Sequence, residues 1–290
     1  MKTKNFGRIL VATDGSDPAN SALGLALTFA RAADGRVLVV HVWNMEIHHK
    51  HGVWDVETRA EAQQLIDAAV SKVRSLGLSA DGQVLHADSR NVATALAAAA
   101  RQFDADLVVI GSRGLSDWQS LVRSRSVSHQ MLTHVDCPVL VVRGPSSAAE
   151  PGPQRVLLAV AGGDDVRPAV DAATAAAVNP GSAVLVLHVP LSVFGAQGYA
   201  YVEPDEEVKQ TVDRAVAMLG KAGVTASAVV AEGGPVVGNI LEAASSWGAD
   251  IIVIGSGRMG DVGSLLFGSV THGLLQRSER PVLVAGRPRP

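Results

Sequence analysis

Two short stretches carry residue types suited to holding a phosphorylated ligand. ATDGS runs from Ala12 to Ser16, at the end of an apolar run, and GSRG runs from Gly111 to Gly114. Glycine has no Cβ, so backbone N–H groups in such stretches can approach phosphate oxygens. GSRG leads on to a helix predicted to begin near Ser126, and a helix N-terminus favours an anion. Asp14 offers a carboxylate that would accept a hydrogen bond from a base amine or a sugar hydroxyl. Val42 closes another apolar run and would give a base an apolar wall. The set describes a mononucleotide site. A plainer role is open to some members. Asp14 before Gly15 is a common turn and N-cap pair, and Ser126 and Ser269 are predicted helix N-caps, a role compatible with phosphate contact.

The elements that must position these residues alternate between strand and helix. In the first half the runs ILVAT, RVLVVHV, SADGQVLHA, DLVVIG and PVLVV are short, rich in Val, Leu and Ile, and bounded by Gly, Asp or Pro. Between them lie helical segments. DPANSALGLALTFARAAD has Asp17 as its expected cap and Pro18 in its first turn. DVETRAEAQQLIDAAVSKVRSLG is amphipathic and stops at Gly77, NVATALAAAARQFD is alanine-rich, and SVSHQMLTHVD closes the half. Near-continuous apolar strands imply burial on both faces, hence an α/β fold with a parallel sheet between helices. With five strands in the order 3-2-1-4-5, the winding reverses between strands 1 and 4. Ligands bind beyond the carboxyl ends there, where ATDGS and GSRG fall.

The whole pattern occurs twice. RILVATDGSD at 8–17 answers to RVLLAVAGGD at 155–164, RVLVVHVW at 36–43 to AVLVLHVP at 183–190, ADLVVIGS at 105–112 to ADIIVIGS at 249–256, and PVLVVRGP at 138–145 to PVLVAGRP at 281–288. The order is kept, and the spacing is far longer than a solenoid repeat, so the chain reads as a duplicated Rossmann-like domain. The expected division is residues 1–145, a linker at 146–153 within the Gly, Pro and Ser-rich GPSSAAEPGPQ, and residues 154–290.

Composition narrows the functions. With 290 residues, 47% hydrophobic and 18% charged, the chain is expected to be globular. A net charge of −3 argues against a dedicated nucleic-acid binder. The most apolar window, AVLVLHVPLSVFGA at 183–196, is too short to span a bilayer and contains Pro190, so no membrane role is expected. MKTKNFGRILVATDGS lacks the apolar core of a signal peptide, and Cys137 is the one cysteine, so a cytoplasmic protein without a disulfide is expected. HHKH at 48–51 offers imidazoles but no evident further ligand and has no counterpart in the second half, so it reads as a solvated loop rather than a metal site. Trp43 and Trp54 near it would either cover a nucleotide or pack. Neither a P-loop GxxxxGK[ST] nor a GxSxG elbow is present.

In Ile9 to Asp17, His41-Val42, Val109 to Leu115, Ser126 to Ser128 and Cys137 to Val142 the chain resembles the universal stress protein family, and the resemblance extends over both halves. It implies a Rossmann-like α/β sandwich, binding of ATP or AMP in a subset of members, dimer formation through the last strand, and a role in stress survival or growth arrest. The ATP-binding members share Gly-x-x-Gly, nine residues, then Gly-Ser or Gly-Thr. In the first half Asp14, Gly111 and Gly114 match, as do Ser126 and Val127, and Arg113 would face phosphate. Arg125, however, replaces a glycine after a spacer of ten residues. In the second half Gly255, Gly268, Ser269 and Val270 match. There Arg258 replaces the second glycine, with Gly257 before it, and Ala161 stands where Asp14 has its counterpart. Val189 answers to Val42. The implied ligand is ATP, with AMP or ADP as alternatives and Mg as a companion ion.

Two functions of different class remain open. One is a nucleotide-binding stress regulator whose loops at 115–125 and 259–267 and whose contacts with an unknown protein partner respond to the ligand. It would show slow ATP hydrolysis at most, because no residue stands out as a general base. The other is an interaction scaffold with worn sites. Both would pair through the last strands, as a homodimer or within the tandem. An adenylating enzyme is the weaker third option, because AGGDDV at 161–166 lacks the serines of such a loop.

Overall fold

The computed structural model describes residues 5–43, 45–48, 52–55, 57–88, 91–112, 127–144, 152–162, 165–190, 192–195, 198–201, 203–255 and 268–286. It divides into two compact units, over Asn5–Glu150 and Pro151–Pro290.

In the first unit the apolar runs form the central strands β1 (Arg8–Ala12), β2 (Arg36–Trp43), β5 (Ser79–His86), β6 (Leu107–Ser112) and β7 (Val139–Arg143). All pair in parallel, in the order β5-β2-β1-β6-β7. Ile9, Leu10, Val11, Val39 and Val109 are fully buried because helices cover both faces. Those helices are α1 (Asp17–Ala33), α2 (Arg59–Ser75), α3 (Val92–Phe103) and α4 (Val127–His134). The second unit repeats the plan with β8 (Arg155–Val160), β9 (Ala183–His188), β12 (Thr225–Val230), β13 (Ile251–Ile254) and β14 (Val282–Val284). Their order is β12-β9-β8-β13-β14, again parallel throughout. Its helices are α5 (Arg167–Ala176), α6 (Asp205–Lys221), α7 (Val236–Trp247) and α8 (Ser269–Arg277). Within each unit the five main strands thus follow the expected 3-2-1-4-5 order.

Each unit also holds a small antiparallel hairpin that the sequence reading does not anticipate. One is β3 (Met45–His48) with β4 (Gly52–Asp55), the other β10 (Ser192–Gly195) with β11 (Gly198–Tyr201). The first takes in part of the segment read as a solvated loop; His49, Lys50 and His51 lie outside the described residues.

Helix starts differ from expectation by one residue. Ser16, not Asp17, is the N-cap of α1, and its hydroxyl accepts the Ala19 N–H at 3.4 Å. Asp17 occupies the first turn, where its charge suits the helix dipole. Helix α2 opens on a capping box. The Glu61 N–H donates to the Thr58 hydroxyl at 3.2 Å, and the Thr58 N–H donates back to the Glu61 carboxylate at 2.7 Å. Hydrogen bonds from the Thr58 backbone, then from its hydroxyl, hold the Glu61 carboxyl below its ordinary pKa. A lowered carboxylate pKa stabilises the fold above the unfolded value and ceases to do so as pH falls through the folded one. Hydrogen exchange in the first turn of α2, taken relative to the intrinsic rate at each pH, is therefore expected to quicken on acidification through that range. Thr58→Ala should speed it about fivefold at neutral pH and flatten the pH response. Equal exchange in both chains would show that the box contributes nothing.

Candidate functional site

The parallel register sets the ends of β1 and β6 side by side, with Ala12 opposite Ile110. On the other side Ala12 pairs with Val40, so half-buried Val42 stands two residues beyond the end of β1. Asp14, Val42 and Gly111 therefore share the carboxyl end of the first sheet. Asp14 is exposed and lies in a turn whose Gly15 has φ +76°. Asp14 Oδ1 accepts the Ser16 N–H at 3.0 Å and the Ser16 hydroxyl at 2.5 Å. The turn role weighed for Asp14 is thus real, and it fixes the residue that caps α1.

Gly111 has a packing reason. A Cβ there would lie 2.5 Å from the Ala19 nitrogen and 2.6 Å from the Pro18 carbonyl carbon, because the end of β6 runs against the first turn of α1. Val127 is the first residue of α4 and is half-buried. Arg113, Gly114, Arg125 and Ser126 lie outside the described residues, as does the loop at 115–125.

In the second unit the ends of β8 and β13 lie together, with Ala159 opposite Ile254. Ala161 and Gly162 follow β8, Val189 is buried just past β9, and Gly255 is half-buried just past β13. Gly257, Arg258 and the loop at 259–267 lie outside the described residues. Gly268, rather than Ser269, is the N-cap of α8, so the expectation that Ser269 caps this helix is corrected. Ser269 is the exposed first helical residue and Val270 the half-buried second. The cap makes no side-chain hydrogen bond, so the first N–H groups of α8 have no intrahelical acceptor. A Cβ on Gly268 would meet nothing within 4 Å, and its φ is −55°. Among the described residues no packing contact requires glycine at this position, and its backbone conformation does not require it either.

One constellation escaped the sequence reading. His41 is buried, and its Nε2 lies 2.6 Å from Glu57 Oε2 while Nδ1 lies 2.8 Å from the Thr13 carbonyl. Both partners are acceptors, so the ring donates both bonds only when both nitrogens carry protons. In the second unit fully buried His188 sets Nε2 2.7 Å from Glu203 Oε2, and its Nδ1 has no partner among the described residues. The available signal was recurrence: His41 and His188 stand 147 apart, and Glu57 and Glu203 stand 146 apart. Trp43 belongs to the same support. Its Nε1 donates to the Glu57 carbonyl at 2.7 Å and its ring packs 4.8 Å from that of His86, which favours the packing role over a nucleotide cover. Cys137 is buried. Among the described residues no group of three or more His, Cys, Asp or Glu is arranged to hold a metal ion, and no helix is long and apolar enough to cross a membrane.

A doubly wound unit occurring twice, each with its glycine-bearing strand ends at the point of reversed winding, defines a tandem Rossmann-like α/β protein. Residues 5–143 and 153–286 both match the Universal stress protein family, and the chain belongs to that family. It is 27% identical over 151 residues to the universal stress protein YxiE of Bacillus subtilis, which spans 48% of this chain and 99% of that relative. Its fold is similar to that of a universal stress protein from Archaeoglobus fulgidus, with TM-score 0.69, 19% identity, and coverage of 98% of this chain and 100% of that one. A universal stress protein of Pseudomonas aeruginosa gives TM-score 0.63 at 17% identity, over 97% of this chain and 93% of that one.

Proposed function

We propose that the chain binds an adenine nucleotide, ATP or its products ADP and AMP, beyond the carboxyl ends of its sheets. It acts as a stress-response regulator in the cytoplasm, where occupancy alters its loops and its contacts with a protein partner. The observation that carries this reading is Gly268. A glycine at a helix N-cap, with nothing among the described residues within 4 Å of where its Cβ would stand, leaves the first N–H groups of α8 without a side-chain acceptor of their own. Asp14 in the first unit offers a carboxylate at the matching strand end. Pairing through the last strands β7 and β14, each at one edge of its own unit's sheet, as a homodimer or within the tandem, belongs to the same reading.

Protein purified without added nucleotide, then denatured, is expected to release between about one and about two adenine nucleotides per chain, according to whether one site or both fill. Asp14→Ala is expected to weaken the first site about tenfold to a hundredfold. A second reading, a scaffold without nucleotide, is favoured by the engagement of Asp14 with Ser16 and by the packing role of Gly111. No released nucleotide, and no uptake of added ATP by a folded protein, would establish the scaffold and overturn the regulator.

A further inference from the structure

We infer that Glu203 supplies, in the second unit, the strand-end carboxylate that Asp14 supplies in the first, and that it accepts a hydrogen bond from a ribose hydroxyl. The inference rests on the nucleotide reading and extends it to a residue outside the family pattern. In the second unit Ala161 stands at the position of Asp14, so the strand end itself brings no carboxylate. The neighbouring glycines tell what replaces it. A Cβ on Gly15 would meet Leu65 Cδ1 at 2.7 Å, whereas one on Gly162 would meet Glu203 Oε1 at 2.8 Å and Cδ at 3.2 Å. An apolar side chain thus covers the turn after β1, and a carboxylate covers the turn after β8.

That carboxylate is held in place. Its Oε2 is bound to His188 Nε2 at 2.7 Å; His188 is fully buried, and the Glu203 side chain is 14% exposed. Among the described residues His188 Nδ1 is buried without a partner, so the bond to Glu203 is the one that holds the ring. His188 ends β9, so Glu203 hangs from the end of the second strand. In Rossmann-like units an acidic residue there takes the sugar hydroxyl. A fixed acceptor beside Gly162 leaves the phosphates to the glycine at the start of α8. Glu57 bonds His41 in the first unit as Glu203 bonds His188 in the second, but it is Glu203 whose carboxylate stands against the glycine after the central strand.

The test is photolabelling of the full chain with 8-azido-ATP, assigned to each half by peptide mass spectrometry and competed with ATP or 2′,3′-dideoxy-ATP. ATP is expected to protect the second half about tenfold better than the dideoxy compound. Glu203→Gln, whose amide still hydrogen-bonds a hydroxyl, should only weaken that preference. Glu203→Ala, with the circular dichroism of the folded chain retained, should abolish it in the second half and leave the first half unchanged. Gly162→Ala should do the same by displacing the carboxylate, with the circular dichroism of the folded chain retained. Labelling of the second half without sugar preference, or with a preference that survives Glu203→Ala, overturns this role alone. Labelling of the first half only also overturns it while leaving the nucleotide reading intact. No specific labelling of either half overturns both.

Discussion

Gly111→Ala is expected to destabilise the first unit by about 3 kcal/mol, at the upper end of ordinary overpacking. The new methyl would meet backbone, with the Ala19 nitrogen at 2.5 Å, the Pro18 carbonyl carbon at 2.6 Å and the Ala19 Cα at 2.7 Å. Those atoms form the first turn of α1, which Pro18 stiffens and the Ser16 cap anchors. A flexible side chain could swing aside, but a capped helix terminus moves only as a body. Either β6 shifts away from β1 or α1 lifts off the sheet, and both open the core around Ile9 and Val109. Hydrogen exchange resolved by peptide should show lost protection across β1, α1 and β6, with β8, β9 and β13 unchanged. The experiment also separates two reasons for this glycine. If it served only to admit phosphate, Gly111→Ala would keep full stability and lose nucleotide alone.

How far the sequence could be read follows from the range of the interactions involved. The parallel sheet and its order were legible because buried strands such as RVLVV and DLVVI are apolar on both faces, and because the same order of segments occurs twice. The hairpins β3–β4 and β10–β11 were not, since strands of four residues in a His-, Gly- and Ala-containing stretch carry no alternation to read. The cap of α1 was misplaced by one residue because Ser16 and Asp17 are both good cap types. The choice is made by Asp14, whose carboxylate orients the Ser16 hydroxyl. His41–Glu57 and His188–Glu203 were missed because the partners lie 16 and 15 residues apart across a crossover, a separation at which no helix or strand period applies. Of the site itself, Asp14, Val42 and Gly111 were found through strand ends. The reason for Gly111 was found only in the packing of a helix that precedes it by some ninety positions in the chain.

Asp250→Ala is the other substitution of large expected effect, about 2–3 kcal/mol of stability in the second unit. Asp250 Oδ2 accepts the N–H groups of Gln154 at 2.8 Å and Arg155 at 2.9 Å, and its own N–H donates to the Arg155 carbonyl at 2.8 Å. It therefore fixes the start of β8, the central strand, against the start of β13. Arg155 adds a bond from Nη1 to the Trp247 carbonyl at 3.0 Å, tying the last residue of α7 to the same corner. The first unit builds this corner alike. Asp106 Oδ2 accepts the Arg8 N–H at 3.1 Å, the Asp106 N–H donates to the Arg8 carbonyl at 2.7 Å, and the Arg8 guanidinium donates to the Phe103 carbonyl. The repeated AD and R of the two halves thus have a structural cause. Asp250→Asn keeps one side-chain oxygen as acceptor and should lose about half as much. Urea unfolding followed by hydrogen exchange in β8 and β13 measures both, and equal protection in Asp250→Ala and the parent chain would refute the clamp. Nucleotide release should be unchanged in the folded variant, because the clamp lies at the opposite end of a strand roughly 20 Å long. The two halves keep the same residues at the amino ends of their strands, where the chain is held together. They differ at the carboxyl ends, Asp14 against Ala161 and Leu65 against Glu203 over the neighbouring glycines, where a ligand would be chosen. A variant at the clamp that lost nucleotide while fully folded would contradict that division of labour.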